Sequence, residues 1–162
     1  MKKGWIVLTM VLLLSGCGAE ETFETVSDVQ ALPVMAQPKQ ISVRLPDNGI
    51  VPVLEMDDRQ VYLSEEYEIV METVSSGDLE ATVRNLSGYE KDQLTILQTQ
   101  KEDIDRYEFV WVSTGEVGDR LGRAVILDDG NYHYCMSVLR DAASVETSQI
   151  VWSEVFQSFA LI

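Results

Sequence analysis

His133 is the only histidine in the chain, and Cys135 follows it two positions later in Tyr132-His133-Tyr134-Cys135-Met136. Alternate residues of a strand share a face, so imidazole and thiol would lie roughly 6–7 Å apart along the chain. That reach allows a thiol–imidazole pair. No cation neighbours Cys135 in sequence, so a thiol pKa of about 8.5 would leave it a poor nucleophile at neutral pH unless the fold supplied a base. The plainer reading is a strand histidine beside a small buried thiol. Neither a Gly-x-Ser-x-Gly elbow nor a Gly-rich phosphate loop nor a His-Glu-x-x-His pair occurs. A zinc site would need more His and Cys than remain. No catalytic residue, metal site or cofactor is therefore expected, with a carboxylate or Cys–His hydrolase as the alternative.

The acidic clusters Asp57-Asp58, Glu65-Glu66-Glu68 and Asp128-Asp129 lack the alternating oxygen spacing of an EF-hand loop. They read as solvated faces and turns. With 27 Asp and Glu, some pair of carboxylates is always within reach of a glycosidase arrangement, which makes the observation uninformative. Tyr107, Trp111, Tyr132 and Tyr134 are the residues that would form an aromatic binding surface for an envelope protein, peptide or glycan. Twelve Lys and Arg against those 27 acids leave a formal charge of −15. A field of that sign repels phosphate backbones, so a nucleic-acid partner is excluded.

The first residues carry a different kind of chemistry. Lys2 and Lys3 precede an apolar run from Trp5 to Leu14. A membrane-spanning helix needs roughly 20 such residues, so the run is too short to remain as an anchor. Cationic start, short apolar middle and small residues before a cut are the layout of a secretory signal. Leu14-Ser15-Gly16-Cys17 resembles the lipobox of bacterial lipoproteins. The resemblance implies diacylglycerol modification of the Cys17 thiol and cleavage before it. Residues 1–16 would then be signal peptide, and the protein would be held to the membrane by its lipid on the extracytoplasmic face. Gly18 in place of a retention Asp is compatible with the outer membrane where the host has two. Acyl chains contribute on the order of 0.8 kcal/mol per buried CH₂, so two or three hold a domain durably. Cleavage removes two of the twelve cations, and the mature charge becomes −17.

These groups need elements to position them. All four prolines lie between Pro33 and Pro52, and residues 18–40 are polar without a sustained period. Residues 17–40 read as a lipidated flexible tether and 41–162 as one domain, too small for a two-lobed receptor. Ile41, Val43 and Leu45 alternate with polar residues, predicting a strand that ends at Pro46 and the Asp47-Asn48-Gly49 turn. Ile50 to Met56, Gln60 to Ser64 and Tyr67 to Val74 are further strands. Ser76-Gly77-Asp78 supplies a cap, Leu79, Val83 and Leu86 recur at helical spacing, and Gly88 closes the helix. Gln93 to Gln100, Arg106 to Ser113, Arg120 to Leu127 and Tyr132 to Leu139 then form a meander. Its turns are at Gly115-Glu116-Val117-Gly118 and at Asp128-Asp129-Gly130-Asn131. Val145, Trp152, Val155, Phe156 and Phe159 lie on one stripe, with Glu146 and Glu154 off it, predicting a closing amphipathic helix.

Strands followed by segregated helices predict an α+β domain on an antiparallel sheet. The opening strand Ile41-Ser42-Val43-Arg44-Leu45-Pro46, the meander, and the ending Trp152-Ser153-Glu154-Val155-Phe156-Gln157-Ser158-Phe159 resemble the PsbP/Mog1/DcrB-like sandwich group. That resemblance implies an accessory or binding protein without shared catalytic residues. The chain is also similar to small uncharacterised lipoproteins of gut Firmicutes, which implies no particular activity. The expected function is a non-catalytic, membrane-anchored envelope lipoprotein that binds a partner or ligand. A hydrolase and a chaperone-like assembly factor for an envelope protein are the alternatives.

Overall fold

The structure, a computed structural model, describes residues 36–46, 50–115, 118–142 and 149–162. Cys17, the turn at Asp47-Asn48-Gly49, the Glu116-Val117 tip, Val145 and Glu146 lie outside the described residues. The folded unit is α+β. Its strands are β1 (Ile41–Ser42), β2 (Leu54–Glu55), β3 (Arg59–Leu63), β4 (Tyr67–Ser75), β5 (Leu97–Lys101), β6 (Ile104–Gly115), β7 (Gly118–Asp128), β8 (Tyr132–Asp141) and β9 (Ala160–Leu161). Helix α1 (Leu79–Ser87) follows β4, and helix α2 (Gln149–Ser158) follows β8.

Seven strands form one antiparallel sheet in the order β2-β3-β4-β8-β7-β6-β5. The expected meander is its β5–β8 half. The junction with the other half is β4 against β8, paired through nine residues from Tyr67↔Arg140 to Ser75↔Tyr132. The short β1 pairs with β9, so both ends of the domain meet, and Ile162 N–H adds a bond to Gln40 O at 3.0 Å. The first expected strand is thus only two residues long.

Alternation explains the two cores. On β8, Tyr134, Met136 and Val138 face one way and His133, Cys135 and Ser137 the other, and both sets are buried. The first set packs with Ile69, Met71, Val125 and Leu127 against Trp152, Val155, Phe156 and Phe159 of the α2 segment. The second packs with Phe109, Trp111, Ala124 and Ile126 against Val83 of α1. A strand covered on both faces reads as a continuous apolar run, which is what β7 and β8 show. Asp78 caps α1 by accepting from Ala81 N–H at 3.0 Å, and Gly88 ends it in the left-handed region at φ +80°.

One compact unit of the chain runs from Ala36 to Ile162. Residues 36–40 are pinned by hydrogen bonds. Tyr132 Oη donates to Ala36 O at 2.7 Å, and Lys39 N–H donates to Tyr134 Oη at 2.9 Å. Among the described residues no helix is long and apolar enough to cross a membrane.

Candidate functional site

The β4–α1 turn and the β7–β8 turn meet over the α1 face of the sheet. β4 ends at Ser75, and the Ser76-Gly77-Asp78 turn starts α1. Thr82, one turn into α1, faces the sheet because that side of the helix is the one buried. Beneath it, His133 is 1% exposed. Its Nδ1 lies 2.8 Å from Thr82 Oγ1, and its Nε2 lies 3.4 Å from Asp128 Oδ2 and 3.5 Å from Ser76 Oγ. Ser76 Oγ–H donates to Asp128 Oδ1 at 3.1 Å, and Gly130 N–H donates to the same oxygen at 2.8 Å. Ser76 N–H donates to Asn131 O at 2.8 Å, tying the two turns through the backbone as well.

Serine, histidine and aspartate within contact have the composition of a hydrolase triad, but the wiring is different. A triad aspartate orients the imidazole through one nitrogen while the serine offers its proton to the other. Here Ser76 and Asp128 both approach Nε2, and Thr82 takes Nδ1. The carboxylate accepts the Ser76 proton, and Thr82 Oγ1, which donates to Asp78 O at 3.2 Å, contacts Nδ1. Ser76 therefore gives its proton to Asp128 and not to the imidazole. The arrangement ties the start of α1 to the β7–β8 turn and satisfies a buried imidazole at both nitrogens.

Cys135 shares the His133 face, as strand alternation requires, and is fully buried beside Val83, Trp111 and Ile126. Burial, reinforced by the Glu72 charge, pushes its thiol far above the ordinary value. A thiolate there is disfavoured, which removes the nucleophile that a Cys–His reading requires.

The four aromatic candidates do not form one surface. Tyr107 and Trp111 lie on the α1 face, where Trp111 is 5% exposed and covers Gly122 of the neighbouring strand. Tyr132 and Tyr134 lie on the α2 face, with ring centroids 6.1 Å apart. The spacing within each strand was right, but the register places the two pairs on opposite sides. Tyr134 is fully buried, and its hydroxyl donates to Asp129 Oδ2 at 3.1 Å. Lys39 Nζ reaches the same oxygen at 3.2 Å. Burial works against the Asp129 charge. The N–H groups of Tyr132 and Asn131, with Lys39 and Tyr134, outweigh it and hold the carboxyl below its usual range.

Two of the cavities on the described surface bear on these candidates. A cleft of about 630 Å³ opens between the 38–41 segment and the β2–β3 turn, lined by Lys39, Met56, Asp57, Asp58, Arg59 and Tyr132 among others. Of the aromatic candidates, only Tyr132 reaches it. A smaller pocket of about 150 Å³ lies on the α2 face between Arg123 and Arg140. Sequence reasoning missed both arginines, because a cation is informative only once its neighbours are known. Among the described residues, no three His, Cys, Asp or Glu converge on a position that could hold a metal ion.

No family model matches this chain, and no curated protein matches it. Its fold resembles the crystal structure of PA94, a protein of unknown function from Pseudomonas aeruginosa. That likeness has a TM-score of 0.48 and 15% identity, covering 81% of this chain and 89% of that one.

Proposed function

We propose that this protein is a lipid-anchored envelope lipoprotein whose α+β domain works without catalysis, by binding a partner or ligand at the extracytoplasmic face. The observation that carries the reading is Leu14-Ser15-Gly16-Cys17 directly after a cationic and short apolar leader. The start of the folded unit at Ala36 supports it, since 18 residues separate that point from Cys17. The non-catalytic part is supported by the buried Cys135, whose thiol is held protonated, and by a serine whose proton goes to Asp128 and not to His133. We read the domain as a sandwich of the PsbP/Mog1/DcrB-like kind. Helices α1 and α2 on opposite faces of the sheet support that reading, as does the β5–β8 meander.

Fractionation and metabolic labelling test the anchor together. Wild type should partition with membranes and incorporate an alkyne fatty acid. Cys17→Ala should lose the label and either appear in the soluble fraction or accumulate as an uncut precursor. A Cys17→Ala protein that stays membrane-bound at mature size would refute the lipobox reading. Crosslinking in intact membranes should then recover a stoichiometric envelope partner or a bound ligand.

A further inference from the structure

The α2 face carries a pocket lined by two arginines. β6, β7 and β8 bring Val110, Leu121, Arg123, Val138 and Arg140 to one side of the sheet, and α2 closes the pocket with Trp152 and Phe156. The Arg123 guanidinium carbon lies 4.2 Å over the Phe156 ring, and that of Arg140 lies 5.2 Å over the Trp152 ring. Each guanidinium is held against an aromatic ring by a cation–π contact. Arg123 gives one N–H to Glu108 at 2.8 Å and carries further donors in the same fork.

We propose that this pocket binds the carboxylate of a small acyl acid, with the head between Arg123 and Arg140 and the tail along Val110 and Val112. Arginine is the side chain whose planar fork matches a carboxylate, and the remaining walls are apolar. The volume of about 150 Å³ equals that of roughly five liquid waters, enough for a carboxylate and the first carbons of a chain. Beyond the head, the cross-strand register sets Leu97 next to Glu108, Val110 next to Arg123, and Val112 next to Leu121. Leu97, Val110 and Val112 are 62%, 55% and 46% exposed, so a tail laid over them removes apolar surface from water. A peptide C-terminus offers the same head group, but its amides would meet walls that contain no amide or hydroxyl side chain.

The proposal gives the ligand-binding reading a chemical class. Its test does not involve Cys17, so failure here would leave the anchoring result standing. Full-length protein is titrated with hexanoate and, separately, with hexanol, following the Arg123 and Arg140 Nε–H and Trp152 indole signals by NMR. Hexanoate should give saturable shifts at these three groups, and hexanol should not. Val110→Glu places a carboxylate at the exposed mouth without disturbing the core, and Arg123→Gln removes the fork. Each should weaken hexanoate binding about tenfold or more, the loss of one charge-assisted contact. The proposal is overturned if hexanol binds as well as hexanoate, if neither shifts these signals, or if Val110→Glu binds like wild type. A peptide with a free apolar C-terminus that binds more tightly than hexanoate would overturn it in favour of a chain end.

Discussion

Gly122→Ala should be among the most damaging small substitutions in this protein, although it adds one methyl group. Gly122 sits in β7 directly opposite Trp111 of β6. A Cβ built there falls 2.6 Å from Trp111 Cδ2 and nearer still to Cε2 and Cζ2. The obstacle is the middle of an indole, not the end of a flexible chain. Trp111 is 5% exposed and packs on Phe109, with ring centroids 5.7 Å apart, so it has nowhere to retreat within the core. Overpacking typically costs about 1–3 kcal/mol. Expelling the indole would instead forfeit burial worth about 1.5–3 kcal/mol for a large side chain. An expected cost of about 2–3 kcal/mol is a large part of a domain's roughly 5–15 kcal/mol. With a urea slope near 2 kcal/mol/M, the unfolding midpoint should fall by about 1–1.5 M. Trp111→Leu alone should also destabilise by opening a cavity. The double variant should then recover about 1 kcal/mol or more relative to the sum, because each change relieves the other. A Gly122→Ala midpoint within about 0.2 M of wild type, or strict additivity in the double variant, would refute the steric argument.

Three further outcomes follow from the same geometry. Burial opposes the Glu108 charge, but bonds from Arg123 and Arg106, both at 2.8 Å, outweigh it and hold the carboxyl below its ordinary value. A depressed folded pKa contributes stability above the unfolded value of about 4.3 and loses it as pH falls through the folded one. Urea midpoints should therefore show wild type ahead of Glu108→Gln at pH 7, with the gap closing below about pH 4; a constant gap would contradict this. Cys135 should resist iodoacetamide in the native state and react fully in urea, by mass spectrometry, because its thiol is buried and held protonated. Fast native labelling would restore the nucleophile. Phe156→Ala should cost about 3–5 kcal/mol, since it empties the α2 core and removes the ring beneath Arg123; an unchanged melting curve would show α2 to be dispensable.

Local chemistry in the sequence was enough for the elements that depend on near neighbours. The α1 boundaries follow from Asp78 and Gly88, because a cap and a left-handed terminus are satisfied within one turn. The Asp128–Asn131 turn between β7 and β8 followed for the same reason, as did the burial of Trp152, Val155, Phe156 and Phe159. The β5–β6 turn was less legible. Glu102 and Asp103 both take positive φ, 52° and 62°, without the glycine or asparagine that usually announces such a turn.

What remained belongs to the tertiary structure. Strand alternation says which residues of one strand share a face, but not which face of the sheet that is. Tyr107 and Trp111 could therefore be paired with each other, while their separation from Tyr132 and Tyr134 awaited the register of β6, β7 and β8. The nine-residue pairing of β4 with β8 joins segments more than fifty positions apart, and no local signal specifies it. That pairing brings Ser76 and Thr82 to His133 and Asp128. The sequence presented His133 beside a cysteine, and the fold completed both its nitrogens with other partners. The anchor is the opposite case. A lipobox is read by its residue order alone, so Leu14-Ser15-Gly16-Cys17 carries its meaning without a fold, whereas the Arg123–Arg140 pocket exists only once three strands and a helix have met.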